Sequence, residues 1–286
     1  MKVAILQTAP KLGEVQQNIA QADYLLSGLT PGSVKWLVLP EMAFSGYNFP
    51  STEAISPYLE PTAAGVSTQW ATTTAKRLRC HVTVGYPETT VTEPKRHYNS
   101  TVTVGPTGNM VAHYRKTFLY YTDETWANEG TGFYHDDLYE LGDVCMGICM
   151  DINPKQFQAP WDAYEFAHHA LSSGAPLVVL SMAWLTRLTP QELEELPYQP
   201  DMETLAYWVE RFYPFLGTAG GRPVTLVIAN RCGQEGEACY AGSSTVISIR
   251  EGKAAVYEIC GKMEQRCLVV DLAQAPKLAI QHGGAA

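Results

Sequence analysis

Short runs of mainly apolar, often β-branched residues constrain the fold of this chain most strongly. Residues 3–7 (VAILQ), 36–40 (WLVLP) and 177–180 (LVVL) are too short for helices and show no polar alternation. Strands of this kind are covered on both faces, as in layered α/β folds. Helical periodicity occupies intervals between them, for example 18–29 and 64–78, so the sequence predicts an α/β fold of several layers.

The later part of the chain favours antiparallel strands. Residues 98–104 alternate in polarity, and the turn sequence GPTGN then leads into 110–115, which predicts a hairpin. No repeat or shift in composition marks a second domain. We therefore expect one domain over 1–275 and a short polar, Gly-rich tail over 276–286 that frays.

Composition excludes several classes of partner. The formal net charge of −9 argues against general binding to nucleic acid or to anionic membranes. No apolar stretch is long enough to span a bilayer, and the first apolar run is too short for a signal peptide. The seven cysteines are scattered and form no CxxC pair, which favours reduced thiols without a metal site. We expect the protein to be cytoplasmic, either exclusively or with a further fraction in the nucleus.

Three reactive side chains follow strand-like segments. Glu41 ends the run WLVLP, where partial burial would raise the pKa of the carboxyl group and suit it to act as a base. Lys116 ends the second strand of the hairpin and could stabilise an oxyanion or a thiolate. Taken alone, each residue also fits a solvated strand end without any chemical role.

Cys149 lies at a predicted strand-to-turn elbow within GICMDINP. Such an elbow projects the sulfur and frees the following backbone N–H groups, here that of Met150, to bind an oxyanion. The alternative is a buried structural thiol, which is the commonest state of a free cysteine. The local sequence does not decide between the two.

Together, LPE (39–41), YRK (114–116) and GICMD (147–151) resemble the nitrilase, or carbon–nitrogen hydrolase, superfamily. The segments DETW (123–126), ANR (229–231) and GSSTV (242–246) extend this likeness over most of the chain. The resemblance implies a four-layer α-β-β-α sandwich and no cofactor. It also implies that Glu41 is the general base, that Cys149 is the nucleophile, and that Lys116 and the Met150 N–H hold the oxyanion. Glu124 would be the supporting second carboxylate, although Glu129 is also near.

The amino-acid sequences of three segments are most similar to those of the fungal protein N-terminal amidases. These segments are LPEMAFSGYNF (39–49), RKTFLYYTDETWANEG (115–130) and GICMDINPKQF (147–157). This likeness implies deamidation of an N-terminal Asn or Gln, which feeds the N-degron pathway. The partners would be peptide or protein N-termini bearing Asn or Gln, and a homodimer is compatible with the superfamily.

A substrate with a free α-ammonium group requires a further carboxylate in the pocket. Asp151 and Asp123 are the candidates for this role, although Asp151 could instead cap the turn that follows Cys149. Aromatic side chains of the long loop could wall the pocket or simply pack that loop down. These residues are Tyr120, Tyr121, Trp126 and Phe133.

Two rival functions remain open at the level of sequence. The same chemistry would serve a small-molecule ω-amidase, carbamoylase or nitrilase. A non-catalytic binding scaffold of the same fold is the second rival, and the presence of Glu41, Lys116 and Cys149 together argues against it.

Overall fold

The computed structural model describes residues 1–217 and 223–280. Within them the strands are β1 (Lys2–Gln7), β2 (Trp36–Val38), β3 (Glu60–Pro61), β4 (His81–Thr89), β5 (His97–Val104), β6 (Met110–Arg115), β7 (Tyr134–Leu138), β8 (Gly142–Ile148), β9 (Leu177–Met182), β10 (Val224–Asn230), β11 (Gln234–Glu235), β12 (Ala238–Cys239), β13 (Thr245–Arg250), β14 (Lys253–Ile259), β15 (Arg266–Asp271) and β16 (Leu278–Ile280). The helices are α1 (Val15–Leu25), α2 (Thr52–Ile55), α3 (Val66–Leu78), α4 (Tyr121–Glu124), α5 (Glu165–Ser173), α6 (Pro190–Glu195), α7 (Met202–Glu210) and α8 (Tyr213–Leu216).

Two large sheets share one plan. The first has the order β15-β1-β2-β4-β5-β6, with β3 also beside β4, and the second has the order β16-β14-β13-β10-β9-β8-β7. In the first, β1, β2 and β4 run parallel, and in the second β8, β9 and β10 do so. Antiparallel strands flank both parallel centres. The unbroken apolar runs of the sequence form these centres, because such strands are covered on both faces.

The two faces of the first sheet pack against different layers. Ala4 and Leu6 of β1 join a core with α1 and α3, whereas Val3 and Ile5 join the core shared with the second sheet. This alternation follows from the two-residue period of a strand. On the far side of the second sheet, α5 and α7 complete its core. The order is therefore helices, sheet, sheet, helices, which confirms the predicted α-β-β-α sandwich.

The C-terminal boundary of the domain lies further along the chain than the sequence suggested. Leu278–Ile280 forms β16, which pairs antiparallel with β14, so the domain does not stop at 275. The apolar LAI segment can satisfy its backbone groups on the open edge of β14. Residues 281–286 of the predicted tail lie outside the described residues. No helix in the described part of the chain is long and apolar enough to cross a bilayer.

The sandwich brings several strand ends together between the sheets. Glu41 comes shortly after β2, and Lys116 directly follows β6 of the same sheet. Cys149 and Ala183 directly follow β8 and β9 of the other sheet. Ends of parallel strands are where α/β folds gather site residues.

Candidate active site

A buried cluster of charged groups centres on Lys116. Its Nζ lies 2.6 Å from Oε1 of Glu41 and 2.6 Å from Oδ2 of Asp123, and all three side chains are fully buried. The amide nitrogen Nδ2 of Asn99 donates to Oε1 of Glu41 at 2.6 Å and to Oδ1 of Asp123 at 3.0 Å. The backbone N–H of Ala183 donates to Oε2 of Glu41 at 2.7 Å. Every oxygen of both carboxylates is therefore hydrogen-bonded.

Burial and charge tune this cluster in opposite directions. Burial raises the pKa of Glu41, and the repulsion by Asp123 adds to this, while Lys116 acts against both. Burial by itself would lower the pKa of Lys116, but Asp123 and Glu41 together raise it above the ordinary value. Lys116 is thus a permanent ammonium group, and Glu41 is a carboxylate with an enhanced tendency to take up a proton.

Cys149 occupies the elbow that the sequence predicted. It opens the short 3-10 turn Cys149–Ile152 with φ of +40°, a left-handed conformation that is strained for a residue other than Gly. Burial and the negative charge of Glu41 raise the pKa of its thiol well above the ordinary value, while Lys116 lowers it. Cys149 is therefore a thiol at rest, and a neighbouring base must take its proton before the sulfur can attack.

Asp151 braces this elbow. Its Oδ2 accepts hydrogen bonds from the N–H of Ile148 and the hydroxyl of Tyr114, both at 2.7 Å. Its Oδ1 accepts from the N–H of Phe118 at 2.8 Å and from that of Thr117 at 3.1 Å. The side chain is fully buried, which raises its pKa to about 6, although the N–H donors oppose this. Asp151 thereby ties the segment after Lys116 to the turn that carries the thiol.

A cavity of about 310 Å³ opens onto Cys149 and Met150. This volume suits a small polar side chain with the first atoms of a main chain, at the lower end of the range for ligand pockets. Aromatic residues form much of the wall, and polar and charged residues form another part. The aromatic residues are Tyr47, Tyr120, Phe157, Trp184 and Tyr207, and the polar ones include Asn153, Thr186, Arg187, Asp201, Glu203 and Thr204.

The charges of the side chains that line the cavity do not sum to zero. Arg187 and Glu203 form an exposed ion pair with a distance of 2.7 Å. Asp201 is buried, and its Oδ2 accepts from the hydroxyls of Thr186 at 2.6 Å and Thr204 at 2.9 Å, while its Oδ1 accepts the backbone N–H of Thr204 at 3.1 Å. No salt bridge reaches Asp201 within residues 1–217 and 223–280. The cavity therefore presents one buried carboxylate that has no cationic partner in the described chain.

The comparisons with known proteins agree with this geometry. A model of the carbon–nitrogen hydrolase family matches residues 2–154. A protein N-terminal amidase of Schizosaccharomyces pombe is 34% identical over 289 residues, which cover 95% of this chain and 99% of that protein. The chain belongs to the carbon–nitrogen hydrolase family.

More distant relatives of this carbon–nitrogen hydrolase establish the same fold. A protein N-terminal amidase of Saccharomyces cerevisiae is 28% identical, over 76% of this chain and 64% of its own length. A crystal structure of an N-terminal amidase superposes with a TM-score of 0.83 at 22% identity, covering 94% of this chain and 96% of that one. Another, with an Asn-Glu-Ala peptide, gives 0.82 at 23% identity and the same coverage.

The structure of the hydrolase brings Glu41, Lys116 and Cys149 together, as the sequence predicted. The expected place of Glu124 is wrong. Its side chain is exposed, and Asp123 takes the position beside Lys116. The cause is the short helix α4, in which Asp123 accepts the N–H of Tyr120 at 3.0 Å and so turns its neighbour outward. The alternative, Glu129, lies on the surface beside Lys155.

Most of the predicted substrate-binding residues lie elsewhere in the hydrolase. Met150 does line the cavity. Asp123 and Asp151 do not line the cavity, and their oxygens accept the hydrogen bonds described above. Tyr121 is 59% exposed, and its ring is tilted against that of Tyr120, whereas Trp126 is buried behind the cavity wall, in a cluster with Tyr47 and Ala183. For Trp126 and Phe133, the expectation that loop aromatics only pack the loop is the one that holds.

Sequence reasoning missed three contributors. Asn99 is a buried polar residue of β5. The sequence shows only an Asn within a predicted strand, and the burial that sets it apart appears in the structure. Asp201 caps the N-terminus of α7, a position where Asp is common without any chemical role. Ala183 contributes only its backbone N–H, which no side-chain pattern can reveal. Within the described residues, no group of three or more His, Cys, Asp or Glu side chains could hold a metal ion.

Proposed function

We propose that this hydrolase is a protein N-terminal asparagine and glutamine amidohydrolase that releases ammonia. The observation that carries the proposal is the cavity itself, which joins the thiol of Cys149 to the unmatched carboxylate of Asp201. The name of the S. pombe relative supports it. So do the solved N-terminal amidases, which include complexes with Asn-Glu and Gln-Val peptides.

The first half of the reaction follows from the buried cluster. Glu41 takes the proton of the Cys149 thiol as the sulfur attacks the carbon of the side-chain amide. The carbonyl oxygen becomes an oxyanion, which the third N–H of Lys116 and the backbone N–H of Met150 stabilise. Lys116 is pre-oriented for this, since its other two N–H groups are held by Glu41 and Asp123.

Collapse of this intermediate breaks the carbon–nitrogen bond. Glu41 returns its proton to the leaving nitrogen, so that ammonia departs and a thioester remains on Cys149. Glu41 then takes a proton from water, whose oxygen attacks the thioester carbon. The carbon–sulfur bond then breaks, and Glu41 passes its proton to the sulfur, which regenerates the thiol of Cys149. The other product is a side-chain carboxylic acid, which ionises to a carboxylate as its proton passes to the released ammonia.

The buried carboxylate of Asp201 is the reason for proposing a free N-terminus as the substrate. An ammonium group that meets a buried carboxylate forms a charge-assisted hydrogen bond, which contributes about 1.5–3 kcal/mol. An ω-amidase for small acids would instead need a free cation to bind the substrate carboxylate. The candidate in the wall is Arg187, and Glu203 already pairs with it. The cavity charge thus favours a cationic substrate end over an anionic one.

The test is a screen of ammonia release over peptides that differ only at the first residue and at its amine. We expect turnover of Asn- and Gln-led peptides and at least a tenfold loss of kcat/KM on N-acetylation, the factor that corresponds to about 1.4 kcal/mol. Asp201→Asn should erase much of this discrimination, whereas the exposed Glu203→Gln should keep it. Equal turnover of acetylated peptides would refute the role of the ammonium group.

The same assay separates the rival functions. Preferred turnover of glutamine-like acids, N-carbamoyl amino acids or nitriles would identify a small-molecule hydrolase. If Cys149→Ala left every measured activity unchanged, the binding-scaffold reading would replace the enzyme. Participation in an N-degron pathway, a homodimer and a cytoplasmic or nuclear location stay predictions from the sequence.

A further inference from the structure

We propose that Asn99 is a positioning residue that keeps Glu41 ionised and aimed for its role as base. The inference rests on the proposed function insofar as Glu41 is the base. Asn99 is fully buried, and its Nδ2 donates to both carboxylates of the cluster, at 2.6 Å to Glu41 and 3.0 Å to Asp123. It thus spans the same two side chains as Lys116, but without adding charge.

The contacts of Asn99 fix the orientation of its amide. Both neighbours are carboxylate oxygens, which only accept hydrogen bonds, so the nitrogen of the amide must face them. The reverse orientation would place its own carbonyl oxygen against Glu41 and Asp123. Its Oδ1 has no hydrogen-bond partner among the described residues. Both N–H groups of the side-chain amide are therefore used, whereas its carbonyl oxygen accepts no hydrogen bond from the described residues.

The backbone ties Asn99 to the ammonium group as well. The carbonyl oxygen of Asn99 accepts the N–H of Lys116 at 2.8 Å, so the two bridging residues are held side by side. The next residue, Ser100, is anchored through its hydroxyl to the buried carboxylate of Glu88 at 2.6 Å. The side chain of Asn99 is thereby held on a rigid strand rather than on a loop.

A neutral double donor suits the charge balance of the cluster. Glu41 and Asp123 carry two negative charges against the single positive charge of Lys116. Hydrogen bonds to an ionised carboxylate favour its charged form, which opposes the effect of burial on Glu41. Without them Glu41 would hold a proton at neutral pH more often, and a protonated Glu41 cannot accept the thiol proton. The other titratable groups that act on Glu41 or feel its charge are Lys116, Asp123, Cys149, Tyr47 and Tyr240.

The principal test is the pH profile of kcat/KM in Asn99→Leu, which keeps the approximate volume and removes both donors. We expect the acid limb, the pH range over which activity rises as Glu41 loses its proton, to move upward by about one pH unit. At pH values below this limb, kcat/KM should therefore fall roughly tenfold more than it does at pH values above it. The matched control is Ser100→Ala, which removes a buried hydrogen bond to a carboxylate outside the cluster. Its acid limb should stay at the wild-type position even if its thermal stability falls.

A second variant and a second readout make the test independent of folding and of substrate. Asn99→Asp has the size of the native side chain but adds a third carboxylate, so its acid limb should move upward further than that of the Leu variant. Alkylation of Cys149 by iodoacetamide across pH needs no substrate, and its profile should move in the same direction. If the wild type turned over no N-terminal amide but these alkylation profiles moved, the proposed function would fail and the inference about Asn99 would stand.

An unchanged limb would overturn the inference. If Asn99→Leu and Asn99→Asp lost activity by the same factor at every pH, with alkylation profiles like that of the wild type, Asn99 would serve only to stabilise the fold.

Discussion

Replacing Asp123 with Asn removes one of the two carboxylates that hold Lys116, and its neighbour Glu124 offers a matched control. The Oδ2 atom of Asp123 accepts three hydrogen bonds, from Lys116 at 2.6 Å, Tyr120 at 3.0 Å and Tyr47 at 3.2 Å. In Asp123→Asn the amide oxygen can face these three donors. The amide nitrogen then meets the nitrogen of Asn99, which loses its acceptor.

The free-energy cost follows from that rearrangement. One buried donor left without a partner costs about 1–3 kcal/mol, and weakening the charge-assisted bond to Lys116 costs about 1 kcal/mol more. We therefore expect the free energy of unfolding to fall by about 3 kcal/mol, which lowers Tm by roughly 5 °C for a chain of this length. Because Lys116 is less firmly held, kcat should fall by about 10².

The pH dependence adds a sign to this prediction. The negative charge of Asp123 raises the pKa of Glu41, so its removal should move the acid limb of kcat/KM to lower pH. This shift is opposite to the one expected for Asn99→Leu. Thermal unfolding and ammonia release over a pH series measure all three effects. Glu124→Gln should resemble the wild type in each, because the side chain is exposed. Equal damage from both substitutions, or an upward limb in Asp123→Asn, would refute the reasoning.

Two further predictions concern the elbow. Cys149→Ser should fold with a Tm close to that of the wild type and lose turnover by at least about a thousandfold, since a hydroxyl is far less acidic than a thiol and Glu41 cannot deprotonate it as readily. Mass spectrometry should trap an acyl adduct on Cys149 of the wild type and none on the variant, and an adduct on another residue would contradict the assignment. Asp151→Asn should lower the free energy of unfolding by about 2 kcal/mol, because an amide cannot accept from all four donors, and thermal denaturation measures this loss. KM should not rise selectively for peptides with a free amine, and such a rise would restore the ammonium-binding role that the sequence offered for Asp151.

Local pattern predicted the layers, whereas the reactive trio was predicted from the combined motifs and their likeness to the superfamily. Unbroken apolar runs require cover on two faces, and the three motifs lie where those runs end. The carboxyl ends of β2 and β6, which precede Glu41 and Lys116, lie at the same edge of the first sheet, because β2 is parallel to β4 and two antiparallel pairings separate β4 from β6. Cys149 comes from the second sheet and meets them because the two sheets pack against each other. The likeness to the superfamily supplied the pairing of the two sheets, which periodicity alone does not specify.

The residues that sequence reasoning misplaced depend on tertiary contacts. Asp123 and Glu124 are adjacent acids, and only the helical turn that begins at Tyr120 decides which one faces Lys116. Asp151 could bind an ammonium group or cap a turn as far as the sequence shows, and in the structure four donors from two separate segments use both of its oxygens. Asp201 reaches the cavity from a helix that starts far along the chain, so no local motif connects it to Cys149.

The catalytic cluster is divided between the two sheets, and this division has a consequence for the newly made chain. Glu41 and Lys116 belong to one sheet, whereas Cys149 belongs to the other, and a hydrogen bond from the hydroxyl of Ser181 to the carbonyl of Leu39 joins the sheets at 2.9 Å. A chain whose two sheets have not docked would hold the proposed base apart from the thiol. We therefore expect Cys149 to be activated only once the whole sandwich has assembled.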